Sequence, residues 1–289
     1  MEYKKGDRVK HPSKPEWGLG EVLTDSNGLN VKIFFVGNDA GEKTISLSPE
    51  YIKPEIVPID QASHPVLDNL KISKTISGVK YKSLPQSVQY FLEQFPEGFY
   101  GTRFKEEERD YKDKANELAN EILGQEKFSL LLKNSDYSEI VRLALKLVNK
   151  TNLISPFEKM ALKDGLDDQD SKKVFSKMLN NLLYGGADLE SRFNDFIKVL
   201  EDINASKWTI VSYFLFIFQP EKYMFVKPTI TQYSSELCGY EINYNPQLNW
   251  KTYKSVLNFS TYLFDALSEQ KPRDMIDIQS FMWCIAPKV

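Results

Sequence analysis

One lysine stands where its side chain could take part in chemistry. Lys227 lies in EKYMFVKPTITQ, directly after the apolar pair Phe225 and Val226 and directly before a proline. Proline is favoured at the first position of a helix, so Pro228 predicts a helix start. The junction would hold Lys227 rigidly, as a nucleophilic amine or as a cation for a phosphate. Because the helix dipole disfavours a cation at this end, we expect a phosphate or carboxylate partner. Alternatively, Lys227 is a surface lysine whose stem covers its apolar neighbours.

Histidine and cysteine chemistry has little support in this sequence. The two histidines, His11 and His64, lie near the N-terminus, which excludes a histidine base or a histidine-rich metal site farther along the chain. Cys238 and Cys284 are far apart and flanked by apolar residues, which indicates buried thiols rather than a disulfide or zinc site. We therefore expect no metal and no cofactor.

Composition indicates an ordinary globular protein. The 289 residues are 42% hydrophobic and 13% aromatic, enough to bury a core and to form two domains. The formal net charge of -3 provides no global basic field, so a nucleic-acid site must come from a local patch. The N-terminus lacks an apolar signal core, and the apolar run Ile210–Phe218 is about half of the ~20 residues that span a bilayer. We expect a cytoplasmic protein with no membrane segment.

The chain changes character near residue 55. Before that point, short segments of alternating apolar residues are separated by glycine-rich turns, which is typical of strands. The segments are Asp7–Lys10, Gly20–Leu23, Val31–Phe35 and Lys43–Leu47. They predict a small all-β antiparallel barrel over residues 1–54. Residues 55–66 contain two prolines and no strong periodicity, which indicates a linker.

From residue 67 to 289 the apolar period is about 3.6, which predicts a larger all-α domain. The predicted helices include Leu84–Phe95, Phe104–Leu123, Ser138–Asn149, one beginning at Pro156, Ser171–Tyr184, Leu189–Ile203, Lys207–Phe218, Pro228–Cys238, Trp250–Ser268 and Ile276–Ile285. Within the second helix, ERDYK places Arg109 and Lys112 one turn apart with Tyr111 beside them. This run favours a surface ion-pair ladder over a substrate-facing edge.

Four short motifs mark the N-terminal segment, namely Gly6–Val9, His11–Pro12, Trp17–Gly20 and Val31–Phe34. With these motifs, residues 6–54 resemble the small Tudor/SH3-like domains at the tail of some bacterial repair helicases and in transcription-coupled factors. The resemblance implies docking on a partner such as RNA polymerase, a helicase or nucleic acid. We expect Trp17 and Phe35 to form the partner surface; alternatively, the two rings cap a small core.

The segment SKWTIVSYFLFIFQPEKYMFVKPTITQYSSELCG has a polar helix start, an apolar helix, a loop, an extended piece and a second helix that ends in glycine. It resembles the core of the helix-hairpin-helix DNA glycosylases, with Thr209 and Val226 at the threonine and valine of that family. The resemblance places a glycosylase-like core near residues 187–240. It implies that the protein binds DNA through Lys207 and Thr209, and that Trp208 and Tyr233 stack on an extruded base.

This chain departs from the glycosylase pattern at two places. The catalytic aspartate position falls on Lys227, and the glycine-rich hairpin is reduced to Asn204–Ser206. A lysine cannot stabilise positive charge on the sugar as an aspartate does, but it can itself attack the sugar. Lys227 is therefore the candidate catalytic residue of an enzyme that excises a damaged or modified base, with lyase activity. Alternatively, the fold persists without chemistry, as an adaptor whose barrel docks on transcription or repair machinery.

A second basic stretch is consistent with nucleic acid. Between Asn69 and Leu92 the sequence has no acidic residue. Lysines and tyrosines alternate there in a way that could follow a phosphate backbone, or that could form a solvated strand pair. The lysines are Lys71, Lys74, Lys80 and Lys82. We therefore expect DNA as a partner, in repair or phage defence, with a protein partner at the barrel.

Overall fold

The computed structural model describes residues 2–37, 41–47, 53–69 and 84–286. These residues divide into two compact units. The first contains the described residues up to Pro96, together with Gln232–Glu241 and the described residues from Ile285; the second contains Glu97–Thr231 and Ile242–Cys284. The predicted layout, an N-terminal antiparallel sheet followed by a mostly helical region, is confirmed.

Five short strands form one antiparallel sheet in the first unit. They are β1 (Arg8–Lys10), β2 (Leu19–Thr24), β3 (Asn30–Phe35), β4 (Gly41–Ser46) and β5 (Glu55–Ile56). The first four lie where the alternating segments predict them. The strand order is β4-β3-β2-β1-β5, so β4 and β5 are the edges and the described strands form an open sheet. The predicted closure into a barrel is absent from these strands because β5, two residues long, pairs with β1 alone.

Both faces of β3 are covered by apolar side chains. Because side chains alternate along a strand, Ile33 and Phe35 join one buried cluster while Phe34 joins another. The second cluster also contains three side chains from beyond β4, namely Val57, Val66 and Leu67. The segment predicted to be a linker at 55–66 thus holds β5 and packs on the sheet.

Arg8 attaches the same segment to the sheet. Its guanidinium lies 2.8 Å from the carboxylate of Glu21 on β2, and the two side chains are 15% and 11% exposed. The guanidinium also donates to the carbonyl oxygen of Ala62 at 2.8 Å and to the carboxylate of Asp68 at 2.9 Å. Burial raises the pKa of Glu21, and the positive charge of Arg8 opposes that rise. Arg8 therefore connects β1, β2 and residues 62–68.

Helices account for most of the remaining described chain. They are α1 (Leu84–Gln94), α2 (Thr102–Phe104), a π-helical turn (Lys105–Arg109), α3 (Asp110–Leu123), α4 (Gln125–Lys133), α5 (Tyr137–Asn149), α6 (Pro156–Gly165), α7 (Gln169–Tyr184), α8 (Leu189–Asp202), α9 (Trp208–Phe218), α10 (Pro228–Leu237), α11 (Trp250–Ala266) and α12 (Met275–Ile285). The helices predicted from periodicity are confirmed to within a few residues at their ends. The sequence did not predict α4.

Helix α9 lies at the centre of the second unit. Each of its eleven residues is buried, and α3, α7 and α8 pack against it. A helix that is apolar on every side needs such complete enclosure. No helix in the part of the chain that the structure describes is long and apolar enough to cross a membrane.

We expect Arg8→Ala to lower the free energy of unfolding by about 3 kcal/mol, because it leaves the Glu21 carboxylate buried without its partner. The double variant Arg8→Ala/Glu21→Gln should regain part of that loss. Urea denaturation measures the change, and limited proteolysis should cut residues 62–68 faster in Arg8→Ala. Lys10→Ala, an exposed neighbour on the same strand, is the control. Equal stability of Arg8→Ala and Lys10→Ala would contradict the attachment.

Candidate functional site

Lys227 lies at the junction that the sequence predicts. Residues 223–227 have neither helical nor strand hydrogen bonding, and α10 begins at Pro228. The carbonyl oxygen of Lys227 accepts a hydrogen bond from the backbone N–H of Thr231 at 2.8 Å, which closes the first turn. The lysine side chain is half-buried. Its ammonium therefore stands at the N-terminal end of a helix, next to a buried stretch of backbone.

The partner of Lys227 is an aromatic ring. Its Nζ atom lies 5.1 Å from the ring centroid of Trp283 on α12, and Trp283 is 45% exposed. The negative face of an indole attracts a cation at this distance. The sequence predicted a phosphate or a carboxylate as the compensating partner; the structure supplies the ring. We call these two side chains the Lys227–Trp283 pair.

Two buried hydrogen bonds fix the backbone that precedes Lys227. The N–H of Val226 donates to the Oγ atom of Ser212 on α9 at 2.9 Å. The hydroxyl of Tyr253 on α11 donates to the carbonyl oxygen of Met224 at 3.3 Å. Because the side chains of both partners are buried, these bonds are shielded from competing water. The junction is held from α9 and α11 independently of the lysine side chain.

The residues at the start of α9 are placed differently from the glycosylase-based expectation. Trp208 is 3% exposed, and its Nε1 donates to the carbonyl oxygen of Asn245 at 2.9 Å. Thr209 is also buried, and its hydroxyl donates to the carboxylate of Glu158 on α6 at 2.8 Å. Lys207 is exposed. In this structure Trp208 has no free face for a base, and Lys207 alone of the three is accessible to DNA.

Of the remaining predicted DNA contacts, the structure describes Tyr233 and leaves four lysines outside the described residues. Tyr233 is half-buried on α10, and burial raises the pKa of its hydroxyl. Within the described ranges, no group of three or more histidine, cysteine, aspartate or glutamate side chains could hold a metal ion. Four predicted contacts, Lys71, Lys74, Lys80 and Lys82, lie outside the described residues.

Trp17 and Phe35 belong to an aromatic group on the sheet. Their ring centroids are 5.2 Å apart, and the ring of His11 lies 5.0 Å from that of Trp17. Phe35 is fully buried, whereas Trp17 and His11 keep part of their surface. The Nζ atom of Lys43 lies 5.4 Å from the Trp17 ring centroid. A partner on this surface would therefore contact Trp17, His11 and Lys43. The buried ring of Phe35 packs behind Trp17 and His11.

A buried ionic cluster joins the π-helical turn to α12. Arg109 donates to the carboxylates of Asp274 at 2.7 and 2.9 Å and of Asp277 at 2.9 Å, and it is 7% exposed. Arg273 donates to Asp277 twice at 2.8 Å. The interpretation of ERDYK as a surface ladder is wrong, because the main partners of Arg109 lie at least 165 residues away in sequence. Asp113, one turn along α3, completes the set at 2.9 Å.

Lys112 extends this cluster. Its Nζ donates to the Oγ atom of Ser280 at 2.7 Å and lies 3.7 Å from the carboxylate of Glu108. Burial lowers the pKa of Lys112 to about 8. A lysine amine next to a serine hydroxyl is the arrangement of serine-lysine hydrolases. Here both side chains are fully buried, so a substrate has no access to Ser280, and the pair joins α3 to α12.

The sequence signal for the cluster lies in α12 and at its start. Asp274, Asp277 and Ser280 recur every three residues in a segment that is otherwise largely apolar. Polar residues at this spacing on an apolar helix indicate buried pairing, because an unpaired carboxylate could not be buried there. Trp283 follows at the same interval, so the cluster also sets the position of the exposed indole.

We expect Asp277→Asn to lower the free energy of unfolding by about 3 kcal/mol, because the buried guanidinium of Arg109 and the half-buried guanidinium of Arg273 lose a shared negative partner. Urea denaturation followed by circular dichroism measures the loss. Asp265→Asn, an exposed change on α11, is the matched control. If both variants unfold at the same urea concentration, the cluster does not hold α12.

Lys112 predicts a pH dependence of stability. The folded-state pKa is about 8 and the ordinary value is 10.5, so between these pH values the unfolded chain binds a proton that the folded chain does not. The free energy of unfolding should therefore rise with pH across this window, by on the order of 3 kcal/mol. Lys112→Met should remove that rise. Parallel stability curves for the two proteins from pH 8 to 10.5 would contradict the shifted pKa.

Comparison with known proteins gives a family match that concerns the sheet. A family model described as a protein of unknown function (DUF3553) matches residues 3–52. This range covers β1 to β4 and stops before β5. No curated protein and no solved structure matches the chain. The helical unit that carries Lys227 and Trp283 lies beyond the matched segment.

Proposed function

We propose that the protein binds DNA and acts as a glycosylase-like enzyme, with the Lys227–Trp283 pair engaging an extruded nucleotide. The carrying observation is the half-exposed indole 5.1 Å from an ammonium that sits on a rigid junction. An exposed indole offers a face on which a base can stack. The ammonium can contact a phosphate, and the neutral amine can attack a sugar. Both groups are positioned by buried contacts behind them.

The proposed reaction is excision of a damaged or modified base. The Nζ atom of Lys227 forms a bond to C1′ of the nucleotide while the bond from C1′ to the base breaks. The proton lost by the amine goes to the leaving base, so charge and atoms balance. Opening of the sugar ring then gives an imine between Nζ and C1′, and water hydrolyses the imine to leave an abasic site. The reaction needs no metal and no cofactor.

The finer architecture belongs to the same proposal. We infer an SH3/Tudor-like domain for the sheet predicted over residues 1–54, with β5 from the segment 55–66 at its edge, and a helix-hairpin-helix glycosylase-like core near 187–240. The order of α9, loop, extended piece and α10 supports the glycosylase-like core. The surface around Trp17 supports docking of RNA polymerase or a helicase. We place this activity in the cytoplasm, in DNA repair or phage defence.

A non-catalytic adaptor is the second candidate function. The burial of Trp208 favours it, because the glycosylase-like mechanism expects a stacking residue there. In the adaptor, the first unit docks on a transcription or repair machine, and the Lys227–Trp283 pair holds DNA without reacting. The two candidates therefore share DNA binding and differ in whether Nζ forms a covalent bond.

Borohydride trapping separates the two functions. The full chain is incubated with duplexes that each carry one modified base, and borohydride reduces any imine to a stable protein–DNA adduct. We expect an adduct with the wild-type chain and none with Lys227→Ala or Lys227→Arg. Lys227→Arg should retain most of the DNA affinity, because arginine keeps the charge and the contact with the ring. Trp283→Ala should weaken binding about tenfold through loss of one stacked base.

Lys222→Ala is the matched control, because Lys222 is an exposed lysine in the loop just before the junction. It should leave trapping and binding unchanged. An adduct that survives in Lys227→Ala would assign the chemistry to another residue. Wild-type binding that depends on Trp283 but gives neither an adduct nor base release would establish the adaptor. If Lys227→Ala and Trp283→Ala both bind and react as the wild type does, the pair is structural.

A further inference from the structure

A basic groove lies between α5 and α6, within the second unit. Its cavity volume is about 450 Å³, and it opens to solvent. Arg142 and Lys146 line it from α5, and Lys159 and Lys163 line it from α6. No acidic side chain is part of the lining in the described structure. The groove is therefore locally positive on a chain whose formal net charge is -3.

The four cations differ in how they are held. Arg142 is paired with Glu139 through two hydrogen bonds of 2.7 Å, which reduces its contribution. Lys159 donates to the carbonyl oxygen of Thr151 at 2.7 Å, so its charge is fixed in place without being neutralised. Lys146 and Lys163 are exposed and have no ionic partner among the described residues. These two lysines are free to pair with an incoming anion.

An apolar edge borders the lysines on α6. Met160 lines the groove and is 55% exposed, while Phe157, three residues earlier, is 79% exposed. On a helix at about 100° per residue, Met160 falls between the lysine stripe and Phe157. Around α6 the order is therefore Lys159 and Lys163, then Met160, then the ring of Phe157, which lies about 120° from Lys163 and outside the groove lining. Met160 and Phe157 thus form a small exposed apolar edge next to the lysines.

We propose that this groove binds a segment of single-stranded nucleic acid, with its phosphates on Lys146, Lys159 and Lys163 and a base on Phe157. Charge complementarity identifies an anionic chain, and the neighbouring aromatic ring identifies one that carries flat bases. A duplex keeps its bases stacked, so a single strand is the form that can present a base to Phe157. This inference rests on the proposed DNA-binding function and adds a contact surface separate in sequence from Lys227.

The test is fluorescence anisotropy of a labelled oligothymidylate of about twelve nucleotides, titrated with the full chain between about 50 and 200 mM salt. Lys146→Ala/Lys163→Ala should weaken binding and reduce the slope of log affinity against log salt by about 1.4, since each single-strand phosphate contact contributes ~0.7. Lys127→Ala/Lys133→Ala, two exposed lysines of α4, is the matched control and should leave the slope unchanged. Phe157→Ala should weaken binding about tenfold at an unchanged slope.

Each result bears on the groove separately from Lys227. If Lys146→Ala/Lys163→Ala behaves like the α4 control, the groove does not bind the strand, whatever Lys227→Ala does. If Lys146→Ala/Lys163→Ala reduces the salt slope while the wild type gives no borohydride adduct, the groove binds the strand and the proposed excision chemistry is wrong. If a polyglutamate peptide of equal charge competes as well as the oligonucleotide, the groove is a site for acidic protein segments and the proposal is overturned. Absence of oligonucleotide binding by the wild type also overturns it.

Discussion

The second unit depends on one constraint, the burial of Arg109, the last residue of the π-helical turn, against α12. A guanidinium that is 7% exposed has lost most of its hydration, and only carboxylates in good geometry can compensate for that loss. Asp274 and Asp277 supply them, and Arg273 balances the second negative charge. Because a bidentate pair tolerates little displacement, α12 has one register against α3. A purely apolar contact would allow several.

The exposed chemistry of the second unit follows from this fixed register. Trp283 stands two helical intervals beyond Asp277, so its indole is placed by the same helix that the ionic cluster holds. The backbone before Lys227 is anchored separately, through Ser212 and Tyr253. The lysine and the indole are therefore held by different parts of the structure, the lysine by the anchored backbone before it and the indole by α12. Neither side chain needs the other to remain where it is, and the exposed part of the indole is open to a ligand.

Local pattern predicted most of the elements, with α4 and β5 missed, but it did not predict which polar and aromatic side chains are buried. Alternation gave the strands, and period 3.6 gave most helices, because both depend on near neighbours in sequence. The junction at Lys227 was predicted correctly because a proline marks a helix start. ERDYK was predicted to lie on the surface because the sequence alone does not show whether its charged side chains face water or pair with a distant helix. Trp208 was expected to stack on a base because of the resemblance to the glycosylases, but local sequence does not distinguish an indole that is packed at a helix start from one that is exposed there.

The π-helical turn at Lys105–Arg109 has a consequence for how this helix tolerates changes in length. A π turn holds one more residue than an α turn, so it acts as a single-residue insertion inside the continuous helical run from Thr102 to Leu123. Removing one residue there would restore regular α-helical geometry without breaking the run. Because the π turn absorbs the extra residue locally, the deletion of one exposed residue from Lys105–Glu107 should leave the buried ring of Phe104 and the contacts of α3 in place. A deletion elsewhere in the run would instead rotate the buried side chains on one side of it by about 100°, so the π turn is the part of this helix that can change length by one residue.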